Sequence, residues 1–230
     1  MPAYSPTSDP EAEAQVSRRA LPYPDPLSHV GRVAAKLFTS WLRWTYPFHR
    51  FGDRVSIHYS CEIPRQMSPR IAFGNSVFLA KDVWLNIVDY DSRSEAGIIF
   101  GDGCSIGRRS VISAKNCICL ERDVLLAPSV LLMDHNHEYS DPDLPIREQG
   151  TTLGGRIIIG RNCWLGYGAA IVCDKDEIIL GRNTIVGAHS VVTKSFPPFS
   201  VVVGAPARLV RRFDKGSGTW VKVNDGIGAE

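Results

Sequence analysis

From Phe51 onward a large apolar residue recurs every sixth position, in runs of three. The runs are Phe51, Ile57, Ile63; Phe73, Leu79, Leu85; Phe100, Ile106, Ile112; Leu120, Leu126, Leu132; Ile159, Leu165, Ile171; and Leu180, Val186, Val192. A second column keeps the same period. Four places after the first two members of each run stand Val55, Cys61, Val77, Val83, Cys104, Ser110, Val124, Val130, Cys163, Ala169, Thr184 and Ser190, every one small or β-branched. An antiparallel barrel or sandwich predicts alternation at period two with scattered turns, and explains neither column. Six residues make one short strand and a corner, so three hexads close a triangular coil. Six such coils stack as a solenoid, each covering the next. Both columns are expected to point into a narrow prism. Glycine follows the apolar residue at positions 52, 74, 101, 107, 160, 166, 181 and 187, where it is expected to relieve the backbone at the bends.

Extra residues appear only between the third hexad of one coil and the first of the next, so the insertions should emerge along one edge. The longest, residues 134–156, exceeds a corner by about twenty residues, and loops of that length are usually functional or disordered.

Ahead of the repeats, residues 27–50 form a separate element. Val33, Leu37, Phe38, Trp41, Leu42 and Trp44 with Arg32, Lys36, Arg43 and Arg50 read as a basic amphipathic helix. Two roles are open to it: a cap on the apolar end of the solenoid, which is the plainer reading, or peripheral contact with a membrane surface. Residues 1–26, rich in Pro, Ser, Ala and Glu without an apolar core, are expected to be a flexible segment rather than a secretory signal. The β-helix is expected over 51–204, and residues 205–230 as a short C-terminal helix and mobile tail.

Composition narrows the function classes. Hydrophobic residues make up 44% of the 230 and charged residues 22%, which suits a globular chain, and no apolar run approaches the roughly 20 residues of a membrane span. A net charge of +2 gives no footing for nucleic acid. Cys61, Cys104, Cys117, Cys119, Cys163 and Cys173 lack zinc-type pairing, and three of them fall in the small inward column. They read as reduced packing thiols of a cytoplasmic protein.

The passage Ile157-Ile-Ile-Gly-Arg-Asn-Cys-Trp-Leu-Gly166, the passage Leu180-Gly-Arg-Asn-Thr-Ile-Val-Gly-Ala-His-Ser-Val-Val-Thr-Lys194 and the closing Val203-Gly-Ala-Pro-Ala-Arg-Leu-Val-Arg-Arg212 resemble the hexapeptide-repeat acyltransferases. Within that superfamily the chain is similar to the sugar O-acetyltransferases, including the maltose, galactoside and nodulation-factor enzymes and those of capsule and exopolysaccharide synthesis. The resemblance runs over roughly Phe51 to Phe213. It implies a left-handed parallel β-helix, an exception to the usual crossover hand. It also implies a homotrimer with three active sites between prisms, acetyl-CoA as co-substrate, and neither metal nor prosthetic group.

The family's catalytic histidine falls just before the long loop, in Leu132-Met-Asp-His-Asn-His-Glu138, and the resemblance places it at His135, with His137 as the alternative. A sugar hydroxyl is a poor nucleophile at neutral pH and needs a base near neutrality to take its proton. Glu138 or a backbone carbonyl is open as the group that orients the ring. On the donor side the resemblance carries over Ala188 beside the pantetheine arm, the Thr193–Lys194 pair, and Arg208 and Arg211 as phosphate-binding cations. Tyr167 departs from the small residue usual after the Trp-x-Gly of the fifth coil. It either narrows the acetyl pocket or stacks on the donor. The acceptor-binding Asn and Asp of the galactoside-type enzymes have no counterpart between Gly107 and Ala114, and the three-residue insertion around Asp174–Asp176 has no functional account.

Two other readings stand beside an O-acetyltransferase. One is a non-catalytic β-helix scaffold. The other is a carbonic-anhydrase-type prism with zinc on His135, His137 and His189, although the hexad count puts His189 and His135 on different edges.

Overall fold

The computed structural model describes residues 26–88, 95 and 97–223. It divides into two units, residues 1–33 and 34–230, and the one α-helix among the described residues, α1, covers Pro26–Thr45. The segment expected to be flexible, apart from Pro26, lies outside the described residues, as does the tail beyond 223.

Within the second unit the chain winds through three sheets in strict rotation. One sheet takes Arg50–Phe51, Ile71–Phe73, Ile98–Phe100, Cys117–Leu120, Arg156–Ile159 and Glu177–Leu180. The next takes Ser56–Ile57, Phe78–Leu79, Ser105–Ile106, Leu125–Leu126, Trp164–Leu165 and Ile185–Val186. The third takes Trp84–Ile87, Val111–Ala114, Leu131–Met133, Ala170–Val172 and Val191–Val192. All these pairings are parallel, and the apolar column stacks on itself: Leu132 pairs with Ile112 and Ile171, and Ile159 with Leu120 and Leu180. The chain is a parallel β-helix.

Both sequence columns line its core. Phe73, Leu79, Leu85, Phe100, Ile106, Leu120, Leu132 and Leu180 are buried, as are Val77, Val83, Cys104, Ser110, Val124, Cys163, Ala169, Thr184 and Ser190 beside them. The hydroxyls there are satisfied locally: Thr184 Oγ1 donates to Gly181 O at 2.6 Å, and Ser110 Oγ accepts from Val130 N at 3.3 Å.

The glycine column has a different cause from the one expected. The left-handed residues lie two places later, at Arg54, Ser76, Asp82, Arg109, Asp123, Ser129, Asn162, Asn183 and His189, with φ between 56° and 61°. The glycines themselves are required by close approach of the neighbouring coil. A Cβ on Gly160 would stand 2.6 Å from Arg182 N, and one on Gly74 would stand 2.8 Å from Asp102 N. Real Cβ atoms do not meet backbone that closely.

At the first coil, α1 lays Ala35, Thr39 and Leu42 inward; Thr39 Oγ1 accepts from Ile57 N at 2.9 Å. Leu37, Trp41 and Trp44 are exposed. Phe48, Phe51, Phe73 and Phe100 continue inward as a chain of ring contacts with centroids 5.1–5.4 Å apart.

Among the described residues the expected C-terminal helix is absent. Arg208–Asp214 forms a strand antiparallel to Ser200–Val203, and Thr219–Lys222 adds another beyond it. Ser200–Val203 ends the second sheet's parallel stack and leaves an open edge, which the following chain takes up.

Candidate active site

The strand Leu131–Met133 ends at Asp134, and from there the chain leaves the coil as an arm that returns at Gly155. The exit is closed by Gly155 N, which donates to Asp134 O at 2.7 Å. The arm is a folded hairpin. His137 bridges Thr151 antiparallel, Thr152 N donates to Asn136 O at 2.8 Å, and Gln149 ties the tip through Asp141 and Leu144.

Asp134 is fully buried, and its carboxylate is met by the tight turn between Val111–Ala114 and Cys117–Leu120. Oδ1 accepts from Lys115 N at 2.6 Å, and Oδ2 accepts from Asn116 N at 3.0 Å and Cys117 N at 2.9 Å. Three consecutive backbone donors thus hold one carboxylate. The same turn grips the arm from outside: Lys115 Nζ donates to Thr151 Oγ1 at 2.8 Å and Thr152 O at 2.6 Å, and Asn116 Nδ2 to Leu153 O at 3.0 Å.

His135 is 7% exposed, and its Nδ1 lies 3.2 Å from Asp134 Oδ1. An ionised carboxylate only accepts, so Nδ1 carries the proton and Nε2 has its lone pair free. No described residue hydrogen-bonds Nε2. The ring is therefore oriented by Asp134, and not by Glu138 or a carbonyl. His137, the alternative, is exposed on the arm. Such an imidazole can take a proton from a hydroxyl presented at Nε2.

The residues carried over for the donor fall in three places. Thr193 and Lys194 follow the strand Val191–Val192, exposed on the same edge as His135 and two coils further along. Tyr167 and Ala188 sit in successive coils at the corner between the second and third sheets, across the outer face of the third sheet from that edge. Tyr167 stands edge-on to His189, with centroids 5.2 Å apart. Arg208 and Arg211 lie exposed on the antiparallel strand of the second sheet, with Arg208 Nη1 on Ala207 O at 3.0 Å. One chain does not gather all of them. His135 and His189 occupy different edges, and among the described residues no three His, Cys, Asp or Glu side chains converge to hold a metal ion.

No family model matches the chain. Over 198 residues it is 30% identical to a probable acetyltransferase of Mycobacterium tuberculosis, covering 78% of this chain and 65% of that protein. It is 25% identical over 189 residues to the galactoside O-acetyltransferase of Escherichia coli, covering 79% and 87%. Among solved structures it superposes on AntD, an N-acyltransferase from Bacillus cereus in complex with dTDP and 3-hydroxybutyryl-CoA, with a TM-score of 0.60 at 18% identity over 74% of this chain and 86% of that one. The chain is thus similar in sequence to acetyltransferases over most of its length, spans 65% of the mycobacterial protein, and shares the fold of AntD.

Three residues of the candidate site escape a reading of the sequence alone: Asp134, Lys115 and Asn116. Asp134 had one signal, its place directly after the strand Leu131–Met133 and before the insertion. The Asp174–Asp176 insertion also finds a structural place. Asp176 O accepts from Arg156 N at 2.9 Å, and Lys175 O accepts from Cys173 Sγ at 3.1 Å, so this turn seats the chain as it re-enters from the arm. All six cysteines are free. Burial pushes the thiols of Cys61, Cys104, Cys119 and Cys163 up to about 11, which makes them packing groups rather than nucleophiles.

Proposed function

We propose that this chain transfers an acetyl group from acetyl-CoA to a hydroxyl of a saccharide or sugar precursor, in capsule, exopolysaccharide or related glycan synthesis. His135 is the general base. The single observation that carries the reading is an imidazole fixed through Nδ1 by a buried carboxylate, with Nε2 left free at the root of the arm.

Nε2 takes the proton of the acceptor hydroxyl as its oxygen forms a bond to the thioester carbonyl carbon. Backbone N–H groups stabilise the oxyanion. The carbon–sulfur bond then breaks, and the imidazolium returns its proton to the departing thiolate. Acetyl-CoA and alcohol become ester and free coenzyme A, with no metal or prosthetic group.

The donor runs along the outer face of the third sheet, between Tyr167 and Ala188 on one side and Thr193 and Lys194 on the other, with Arg208 and Arg211 of a neighbouring copy completing the phosphate site. The assembly is a homotrimer of left-handed, triangular β-helices in the cytoplasm. Its support here is the exposed apolar surface of the arm, where Leu153 is 89% and Tyr139 73% accessible in the single chain. Among the described residues no helix is long and apolar enough to cross a membrane.

Calorimetric titration of acetyl-CoA tests the class. Binding at about one site per chain, followed by acceptor-dependent release of coenzyme A that Asp134→Asn and His135→Ala abolish, is the expected result. No binding would return the chain to a scaffold role. Turnover only with amino sugars would replace the hydroxyl by an amine.

A further inference from the structure

Arg70 closes the 3₁₀ turn Arg65–Arg70 two coils below the turn that holds Asp134, and it is 2% exposed. No described carboxylate pairs with it. Nε donates to Glu95 O at 3.3 Å, Nη2 donates to Lys115 O at 3.3 Å and Asn116 O at 3.1 Å, and Nη1 is buried with no hydrogen-bond partner among the described residues. A Cβ on Gly97 would stand 3.0 Å from Nη2, so the incoming strand closes over the guanidinium. Burying a guanidinium is costly, and capping three carbonyls, two of them on Nη2, does not by itself require its charge.

The two carbonyls are the informative part. The peptide that carries Lys115 O carries Asn116 N–H at its other end, and the peptide that carries Asn116 O carries Cys117 N–H. Those two N–H groups donate to Asp134 Oδ2 at 3.0 and 2.9 Å. Two peptide dipoles therefore lie side by side with a guanidinium on their oxygen ends and a carboxylate on their nitrogen ends. Each charge polarises the peptides in the sense that strengthens the other's hydrogen bonds. The pair is a buried ion pair divided by two peptide planes, and its carboxylate is the one that fixes His135.

We propose that Arg70 is a positioning residue for the acyl-transfer base, holding Asp134 and through it the His135 imidazole by way of the Lys115–Cys117 peptides. It rests on the reading of His135 as the base. It touches neither donor nor acceptor, so its loss should appear in kcat and not in the affinity for acetyl-CoA.

A double-mutant cycle on the full chain tests it, with Arg70→Met, Asp134→Asn and the pair. Arg70→Met is expected to lower kcat about 10- to 100-fold, the scale of a misplaced catalytic group, with KM for acetyl-CoA held within about twofold. In the Asp134→Asn background the same change should cost less than about threefold, because the route is already cut. Arg70→Lys, which keeps the charge on a shorter reach, should fall between wild type and Arg70→Met, and it carries the cycle if Arg70→Met does not fold. The second readout is the nitrogen-15 spectrum of the His135 ring. Wild type and Arg70→Lys should show the proton on Nδ1, and Arg70→Met a ring no longer confined to that tautomer. Additive effects in the cycle, or unchanged kcat and ring signals in folded variants, overturn the proposal. Wild-type protein that transfers no acyl group would instead sink the reading of His135 as base, and the ring signals would still decide whether Arg70 holds the imidazole.

Discussion

Replacing Asp134 by asparagine changes one atom and should silence the site by moving a proton. The carboxylate accepts from Lys115 N at 2.6 Å on Oδ1 and from Asn116 N and Cys117 N at 3.0 and 2.9 Å on Oδ2, with His135 Nδ1 3.2 Å from Oδ1. An amide has one accepting atom and one donating group. Turned to keep the two bonds on Oδ2, it places its NH₂ against Lys115 N–H and His135 Nδ1. Turned the other way it orphans two buried donors, so the first orientation is the cheaper one. Losing one charge-assisted bond and facing two donors together costs about 1–3 kcal/mol of stability. The fold survives that. The ring does not keep its tautomer: Nδ1 now accepts from the amide, the proton moves to Nε2, and the atom facing the acceptor can no longer take a proton. In the serine-protease triad the same exchange lowers kcat about 10⁴-fold through the wrong tautomer, and a loss of roughly that order is expected here. Steady-state coenzyme A release gives the rate, and the nitrogen-15 ring spectrum gives the tautomer. A folded Asp134→Asn variant with a rate within about tenfold of wild type and Nε2 still unprotonated would refute the reasoning.

Other expectations follow from the same geometry. His135→Ala removes a buried ring and its hydrogen bond to Asp134, so stability should fall by about 1–3 kcal/mol while the rate falls about 10²- to 10⁴-fold; His137→Ala should leave both near wild type. Lys194→Ala and Arg211→Ala should each raise KM for acetyl-CoA about tenfold, the worth of a charge-assisted contact, and the rise should disappear with the 3′-dephospho donor. Gly160→Ala puts a Cβ 2.6 Å from the backbone nitrogen of Arg182 and should lower stability by about 1–3 kcal/mol in chemical denaturation. Because burial raises the thiols of Cys61, Cys104 and Cys163 to about 11, they are protonated through pH 8; iodoacetamide should label the folded chain slowly there and the urea-unfolded chain fast.

The repeat was legible because a closed coil returns every sixth residue to the same wall, so burial writes itself into the chain at that period. The site was legible only in part. His135 stands where a strand gives way to a long insertion, and that break can be counted. Its partner could not be read, because adjacent strand residues face opposite sides. The chain leaves the strand at Asp134, and both side chains turn to one place. The donors that hold Asp134 are backbone N–H groups of Lys115, Asn116 and Cys117, which no side-chain pattern reveals. The C-terminal segment was misread for another reason. Arg208–Asp214 has weak alternation of its own, and the open edge of Ser200–Val203 decides its conformation. The glycine column was seen, but its cause lay in the neighbouring coil, whose distance has no counterpart along the chain.

The long arm leaves and rejoins the β-helix at a single edge and is stitched shut where it returns, Gly155 N donating to Asp134 O. What happens between the stitches has no bearing on the register of the coils. The arm can lengthen, shorten or change its residues over generations while the core beneath it keeps every neighbour. Residues built into the coil turns have no such licence, since altering one shifts the coil above. The molecule therefore separates what is free to diversify from what is not. New surfaces can arise by trading arms on an unaltered hub, with the His135 ring standing at the hinge between the two.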